Sequence, residues 1–265
     1  MTRADCLHQK QPPMNLYSVH ILKYADWFAP GTTVFDHAYG RHDPVKICLA
    51  GFLVRGAGRT LMIDTGMDHI DATYTAADNA RWSHLGPSRN TEDLLAEHGL
   101  IADDIDTVAL THLHFDHYVN APLYRRARFF VPAREWNYVR DPKNAPGCPE
   151  IGFPRGPLNW LAEQRARLNL VDDGQEIAPG ITMHWTGGHS PGHMVVRVPT
   201  AQGSVIVVGD AFYLYEHIEH DIPLGYRTSL AEVLEGYRWL RRQNAILLPA
   251  HDYDLFKRHP SLKIG

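Results

Sequence analysis

Residues 107–117 read Thr-Val-Ala-Leu-Thr-His-Leu-His-Phe-Asp-His, an apolar strand that runs straight into a packed set of imidazole and carboxylate side chains. Alternate residues of an extended or turning backbone point the same way, so His112 and His114 can grip one ion while Asp116 and His117 turn toward a second. Imidazole with carboxylate suits zinc, manganese or iron, and the absence of thiolate argues against soft copper or a structural zinc site. Chemistry at the carboxyl end of a buried strand is the usual site position in α/β folds.

The pattern repeats further along the chain. His189 follows the apolar run Ile181 to Trp185, Asp210 follows Val205 to Val208, and His251 follows Ala245 to Leu248. Four strand ends offering His or Asp are what two neighbouring metals need, with a carboxylate such as Asp210 able to bridge them. Two cations close together lower the pKa of a shared water to near neutrality and polarise a carbonyl oxygen, which points to hydrolysis at neutral pH.

Around these segments the elements alternate. Lys46 to Arg55, the turn Gly56-Ala57-Gly58-Arg59 and Thr60 to Asp64 read as a hairpin. Asn90 or Thr91 caps a helix that Gly99 ends, with Leu94, Leu95 and His98 on one face. Arg128 to Val131 reads as a strand, Ala133 to Tyr138 as a short helix and Leu158 to Arg167 as another. Between the two helices, Asp141 to Pro157 carries five prolines and three glycines, which predicts a long irregular loop serving as lid or pocket wall. Ser229-Leu230-Ala231-Glu232 is a capping box ahead of an amphipathic helix through Leu240. Strands and helices interleave without a break in composition. Residues 15–265 therefore form one layered α/β domain after an N-terminal extension, residues 1–14.

Composition removes several classes of function. The 26 Lys+Arg against 30 Asp+Glu give a net charge of -4, so no basic excess is available to neutralise a nucleic-acid backbone. No apolar run is long enough to span a membrane, and the polar N-terminus lacks the core of a secretory signal, so a cytoplasmic location is expected. The three cysteines are too far apart for a paired metal site and suggest no disulfide framework. The partner expected is a small-molecule substrate, and a homodimer is compatible with the sequence.

These residues resemble the metallo-β-lactamase superfamily. The resemblance rests on Met62-Ile63-Asp64-Thr65-Gly66, the His112 to His117 motif, Thr186-Gly187-Gly188-His189-Ser190-Pro191-Gly192-His193, Gly209-Asp210-Ala211 and Ala250-His251-Asp252. It implies an αββα sandwich of two mixed β-sheets flanked by helices, with a dinuclear site on one edge. By that resemblance His112, His114 and His189 hold one metal and Asp116, His117 and His251 the other, with Asp210 bridging and zinc the first choice. Within the superfamily the sequence is most similar to the N-acyl homoserine lactonases, through Asp64-Thr65-Gly66-Met67, Thr111 to His117, and Tyr213 three residues after Asp210. In those enzymes a tyrosine so placed hydrogen-bonds the substrate carbonyl. The sequence departs from them at Tyr118-Val119-Asn120-Ala121, where they carry a Gly-rich turn.

The resulting expectation is a lactone-opening hydrolase degrading a quorum signal, in which a hydroxide between the metals attacks. Tyr213 stabilises the oxyanion and Asp116 passes a proton to the departing alkoxide. The alternatives are a related hydrolase of another ester, a thioester, a cyclic amide or imide, or a phosphate ester. A non-enzymatic binding protein is disfavoured because all seven ligand positions carry competent side chains. His193 reads as structural and Asp64 as a partner orienting a ligand histidine. His8, His20, His37, His42, His69, His84, His98, His184, His217, His220 and His259 read as surface or core filler. Trp27, Phe28 and Phe35 are candidates to line an apolar pocket or to fill the core.

Overall fold

The computed structural model describes residues 16–67 and 88–265. The expected extension at residues 1–14, and with it Cys6, His8, His69 and His84, lies outside the described residues.

The strands order as β11 (Ile246–Pro249), β10 (Gly203–Gly209), β9 (Met194–Thr200), β1 (Tyr17–Ala29), β2 (Val45–Gly56), β3 (Arg59–Ile63), β4 (Thr107–Ala109), β5 (Arg128–Pro132) and β6 (Leu168–Val171). β7 (Gln175–Ala178) pairs β8 (Ile181–Trp185), β8 pairs β9, and β12 (Lys263–Ile264) pairs β1. β2 and β3 form the hairpin expected from the sequence, and β3, β4, β5 and β6 run parallel. The two halves of the path are joined by one pair, Tyr17 opposite Thr200.

The strand residues explain the layering. Val196, Val198, Val205 and Val207 pack with Val19, Ile21, Phe52, Val54 and Ile63 in a core between the two halves. Their neighbours Val195, Ile206 and Val208 point the other way, onto Val233, Tyr237 and Leu240 of the Leu230–Arg241 helix. On the opposite flank Leu53, Met62 and Val108 meet Leu94 and Leu95 of the Thr91–Ala96 helix and Leu158 and Leu161 of the Arg155–Glu163 helix. Strands covered on both faces read as continuous apolar runs. The layering is helix, sheet, sheet, helix, the metallo-β-lactamase fold.

Several boundaries move. The helix read at Leu158 to Arg167 spans Arg155–Glu163, because Pro154 starts it and Leu168 already belongs to β6. The Asp141 to Pro157 stretch is not wholly irregular: Pro142–Gly147 is a 3-10 helix with Asp141 capping its start. Asn90 is the cap of the Thr91–Ala96 helix, accepting from Glu92 N. Ser229 likewise accepts from Glu232 N, but the Glu232 carboxylate does not close a capping box; it accepts from the Gly188 N–H at 2.9 Å. β1, β6, β7 and β12 carried no expectation. β1 hides its period because a bulge between Lys23 and Ala25 switches which residues face which layer.

Candidate metal centre

The ends of β4, β8, β10 and β11 converge. They gather His112, His114, His189 and Asp210 into one group and Asp116, His117 and His251 into another, with the ligand-type atoms within 4.8 Å of one another in each. All seven residues are buried, none more than 7% exposed.

The turns that carry them follow from the sequence. Asp64 ends β3 in the left-handed region, φ 56°, a conformation Asp tolerates better than most residues. Its carboxylate accepts from Thr111 N and Thr111 Oγ1, both at 2.8 Å, and from His117 Nδ1–H at 2.8 Å. Thr65 donates its N–H and its hydroxyl to the His117 carbonyl, so the Asp64-Thr65 corner braces the whole histidine turn. Gly209 has φ 50°, and a Cβ there would lie 2.7 Å from Thr111 Oγ1, so only glycine lets β10 deliver Asp210 this close to β4.

Outer hydrogen bonds fix the histidine tautomers. Thr111 Oγ1 already donates to Asp64 and therefore accepts from His112 Nδ1–H at 3.1 Å. His189 Nδ1–H donates to the Tyr226 carbonyl at 3.1 Å, and His251 Nδ1–H to the Cys48 carbonyl at 2.8 Å. Each of these rings, like His117, turns its Nε2 inward. There the nitrogens crowd: His114 Nδ1 lies 2.9 Å from His112 Nε2 and 2.7 Å from His189 Nε2. Asp210 Oδ2 stands 3.1 Å from His189 Nε2, while its Oδ1 stands 3.0 Å from His251 Nε2 and 3.2 Å from His117 Nε2. His117 Nε2 and Asp210 Oδ1 have no hydrogen-bond partner among the described residues. Buried lone pairs facing one another with orphaned donor atoms between carboxylates call for cations, so the residues present fit two divalent metals.

Electrostatics separate the two groups. Burial, then the neighbouring imidazoles His117 and His114, hold His112 well below the usual histidine range; burial and His189 do the same for His114. For His117 burial pulls downward, but Asp210, Asp116 and Asp64 outweigh it and hold the ring well above the ordinary value. Burial raises Asp210 while His117, His251, His189 and His112 lower it further, leaving it well below the usual carboxylate range. Asp116 is raised, by burial first. His193 is held neutral by burial at about 3, and its Nε2 accepts from Asp210 N at 3.0 Å while Thr186 Oγ1 meets its Nδ1 at 2.8 Å. The expected structural role of His193 is what the geometry shows.

Above this floor opens a cavity of about 330 Å³, walled by Trp27, Pro30, Ile47, Phe115 and Ile151. Tyr213 and Tyr226 face it from the metal side. Tyr213 Oη lies 3.4 Å from His189 Nδ1, whose hydrogen already goes to Tyr226 O, so the phenolic hydrogen is not consumed there. Of the three aromatics considered from sequence only Trp27 lines the cavity. Phe28 is 49% exposed outside it, and Phe35, which follows the short Gly31–Val34 helix, is buried against Val34 and Leu224. The Asp141 to Pro157 stretch contributes Pro149, Ile151 and Gly152 to the wall, as expected.

Two residues with parts in the site escaped sequence reading. Tyr226 is held over the cavity by its N–H to Thr33 O at 2.8 Å and by the neighbouring Arg227–Asp36 ion pair. Glu135 is fully buried between the two ligand loops. An acidic residue in the first turn of a helix already has an ordinary explanation, and an isolated tyrosine in a loop has no signal at all.

Among the described residues no helix is long and apolar enough to cross a membrane. The family model of the metallo-beta-lactamase superfamily matches residues 47–251. The N-acyl homoserine lactonase of Bacillus thuringiensis is 25% identical over 211 residues, covering 73% of this chain and 77% of that one. The N-acyl homoserine lactonase of Agrobacterium fabrum is 24% identical over 239 residues, covering 80% and 82%. Two solved structures share the fold. A quorum-quenching N-acyl homoserine lactone lactonase aligns with TM-score 0.74 at 19% identity over 92% of this chain and 96% of its own. A dizinc quorum-quenching lactonase aligns with TM-score 0.67 at 16% identity over 91% and 92%. With the family model covering every strand end that bears a ligand-type residue, the chain belongs to the metallo-beta-lactamase superfamily and is a metal-dependent hydrolase.

Proposed function

We propose that this protein opens the ring of a lactone at a dinuclear centre, with N-acyl homoserine lactones the first candidates and quorum-signal degradation the working role. The observation that carries the reading is an apolar cavity set directly on the ligand cluster, with no Lys or Arg in its lining among the described residues. A phosphate ester or a thioester on an anionic carrier calls for guanidinium or ammonium partners, whereas a neutral lactone with a hydrocarbon arm does not. The two lactonase relatives support the same choice.

In this reading His112, His114 and His189 would hold one metal and Asp116, His117 and His251 the other, with Asp210 between the two groups. Zinc suits this donor set, with manganese or iron as alternatives. Two such cations, when bound, would supply a nucleophile at neutral pH and polarise a carbonyl oxygen. Tyr213 stays protonated, because burial and then Asp210 and Asp116 push its phenol well above the ordinary value, and it donates its free hydrogen to the developing oxyanion. Asp116 lines the cavity, where it is placed to pass a proton to the departing alkoxide.

The test is proton release from N-acyl homoserine lactones of short and long chain by zinc-loaded protein, beside its Asp210→Asn variant. Turnover with kcat/KM of about 10⁴ M⁻¹s⁻¹ or above in the wild type alone is expected. No release from protein carrying two zinc ions per chain would overturn these lactones as substrates, and full activity in Asp210→Asn would overturn the dinuclear centre.

A further inference from the structure

Glu135 sits in the first turn of the Ala133–Arg140 helix, is 0% exposed and takes no part in the chemistry above. Its Oε1 accepts from Leu113 N at 3.3 Å, and its Oε2 accepts from Ser190 Oγ at 2.8 Å and Gly192 N at 3.0 Å. Leu113 stands between His112 and His114, and Ser190 follows His189. One carboxylate thus holds two loops from opposite halves of the fold, and they are the loops that bring the three imidazoles of one group together. The approach is close: a Cβ on Gly192 would lie 2.0 Å from Glu135 N. No Lys or Arg pairs with Glu135 among the described residues, so its hydrogen-bond compensation comes from these three donors.

The other group hangs from a different carboxylate. Asp64 fixes Thr111 and His117 and makes no hydrogen bond to the 186–193 loop. We propose that Glu135 is the positioning residue that ties the His189 loop to His112 and His114, and that of the two buried carboxylates only Glu135 reaches that loop, Asp64 serving His117 and, through Thr111, His112. This rests on the dinuclear reading.

Glu135→Gln keeps the shape and turns one acceptor into a donor. Whichever way the amide turns, its NH₂ faces a backbone N–H, either Leu113 or Gly192, and one loop must move. Zinc affinity is measured by competition with a chelating dye, and the occupied half-site is identified from the nitrogen-15 imidazole shifts of His189 and His251. Glu135→Gln is expected to weaken one of the two zinc ions about 10–100-fold, with the His189 signal reverting to its metal-free position and that of His251 unchanged. Asp64→Asn is expected to spare His189. If Glu135→Gln does not fold by circular dichroism, Ser190→Ala removes a single donor and is expected to shift the same zinc by a smaller factor. Two zinc ions held with wild-type affinity in both variants would overturn the role of Glu135. Equal loss at both half-sites would overturn its assignment to the His189 loop. A wild type that binds fewer than two zinc ions would overturn the dinuclear reading itself, and this one with it.

Discussion

At the scale of single residues, the centre is built so that every outer hydrogen bond has a consequence inside. Tyr213 is the sharpest case, because His189 Nδ1 has already spent its hydrogen on Tyr226 O and the phenol's own hydrogen is free for substrate. Tyr213→Phe is expected to lower kcat by about 10²–10³, or roughly 2.7–4 kcal/mol, with zinc content unchanged, as steady-state kinetics on the preferred lactone would show. Unchanged kcat would remove the residue from the mechanism. The ligand types were legible because His112, His114, Asp116 and His117 lie within six residues and the others follow apolar runs. Glu135 was not, because its importance comes from backbone donors at 113 and 192 that no local pattern ties to position 135. Asp64 was legible as a partner for a histidine of the motif, since it ends the strand beside the one that carries it, and its carboxylate accepts from His117 Nδ1–H.

At the scale of elements, the Tyr215–His220 helix shows how a histidine read as filler can be built in. His217 Nδ1 accepts from Leu214 N at 3.0 Å, closing the helix start, and its Nε2–H donates to Val34 O at 2.9 Å, tying the helix to the segment behind the cavity wall. Burial lowers its pKa to about 4, more than the Val34 and Glu216 contributions raise it. The folded state therefore binds fewer protons than the unfolded state between about pH 6.5 and 4. The stability from His217 is full above that window and is lost as pH falls through it, by roughly 3 kcal/mol at most. His217→Gln is expected to flatten the fall in urea midpoint between pH 7 and 4.5 relative to wild type; parallel curves would show that His217 does not titrate there. Elements with a long apolar run, such as β2 and β3, or a clean helical period, such as the Leu230–Arg241 helix, were legible. β1 was not, since its bulge breaks the alternation, and β6 and β7 are too short to carry a pattern of their own.

At the scale of the whole molecule, the ligand-type residues come from both halves of the sheet path: His112 to His117 follow β4, while His189, Asp210 and His251 follow β8, β10 and β11. Metal binding therefore ties the halves together and stabilises the native state by mass action, about 2.7 kcal/mol per site at a free metal concentration 100 times Kd. Chelator-treated protein is expected to lose activity and to unfold at lower urea, with both restored by zinc; an unchanged midpoint would show that the halves hold without it. The layered class was legible from interleaved strands and helices, whereas the join at Tyr17 and Thr200 needed three-dimensional register. The floor of the cavity and its rim are built separately. The floor is locked by crowded glycines and buried carboxylates, while Trp27, Pro30, Pro149 and Ile151 belong to segments that bear no metal ligand. Mutations can therefore accumulate on the rim without disturbing the reactive machinery, so a lineage built on this scaffold can trade one substrate for another while its chemistry is inherited intact.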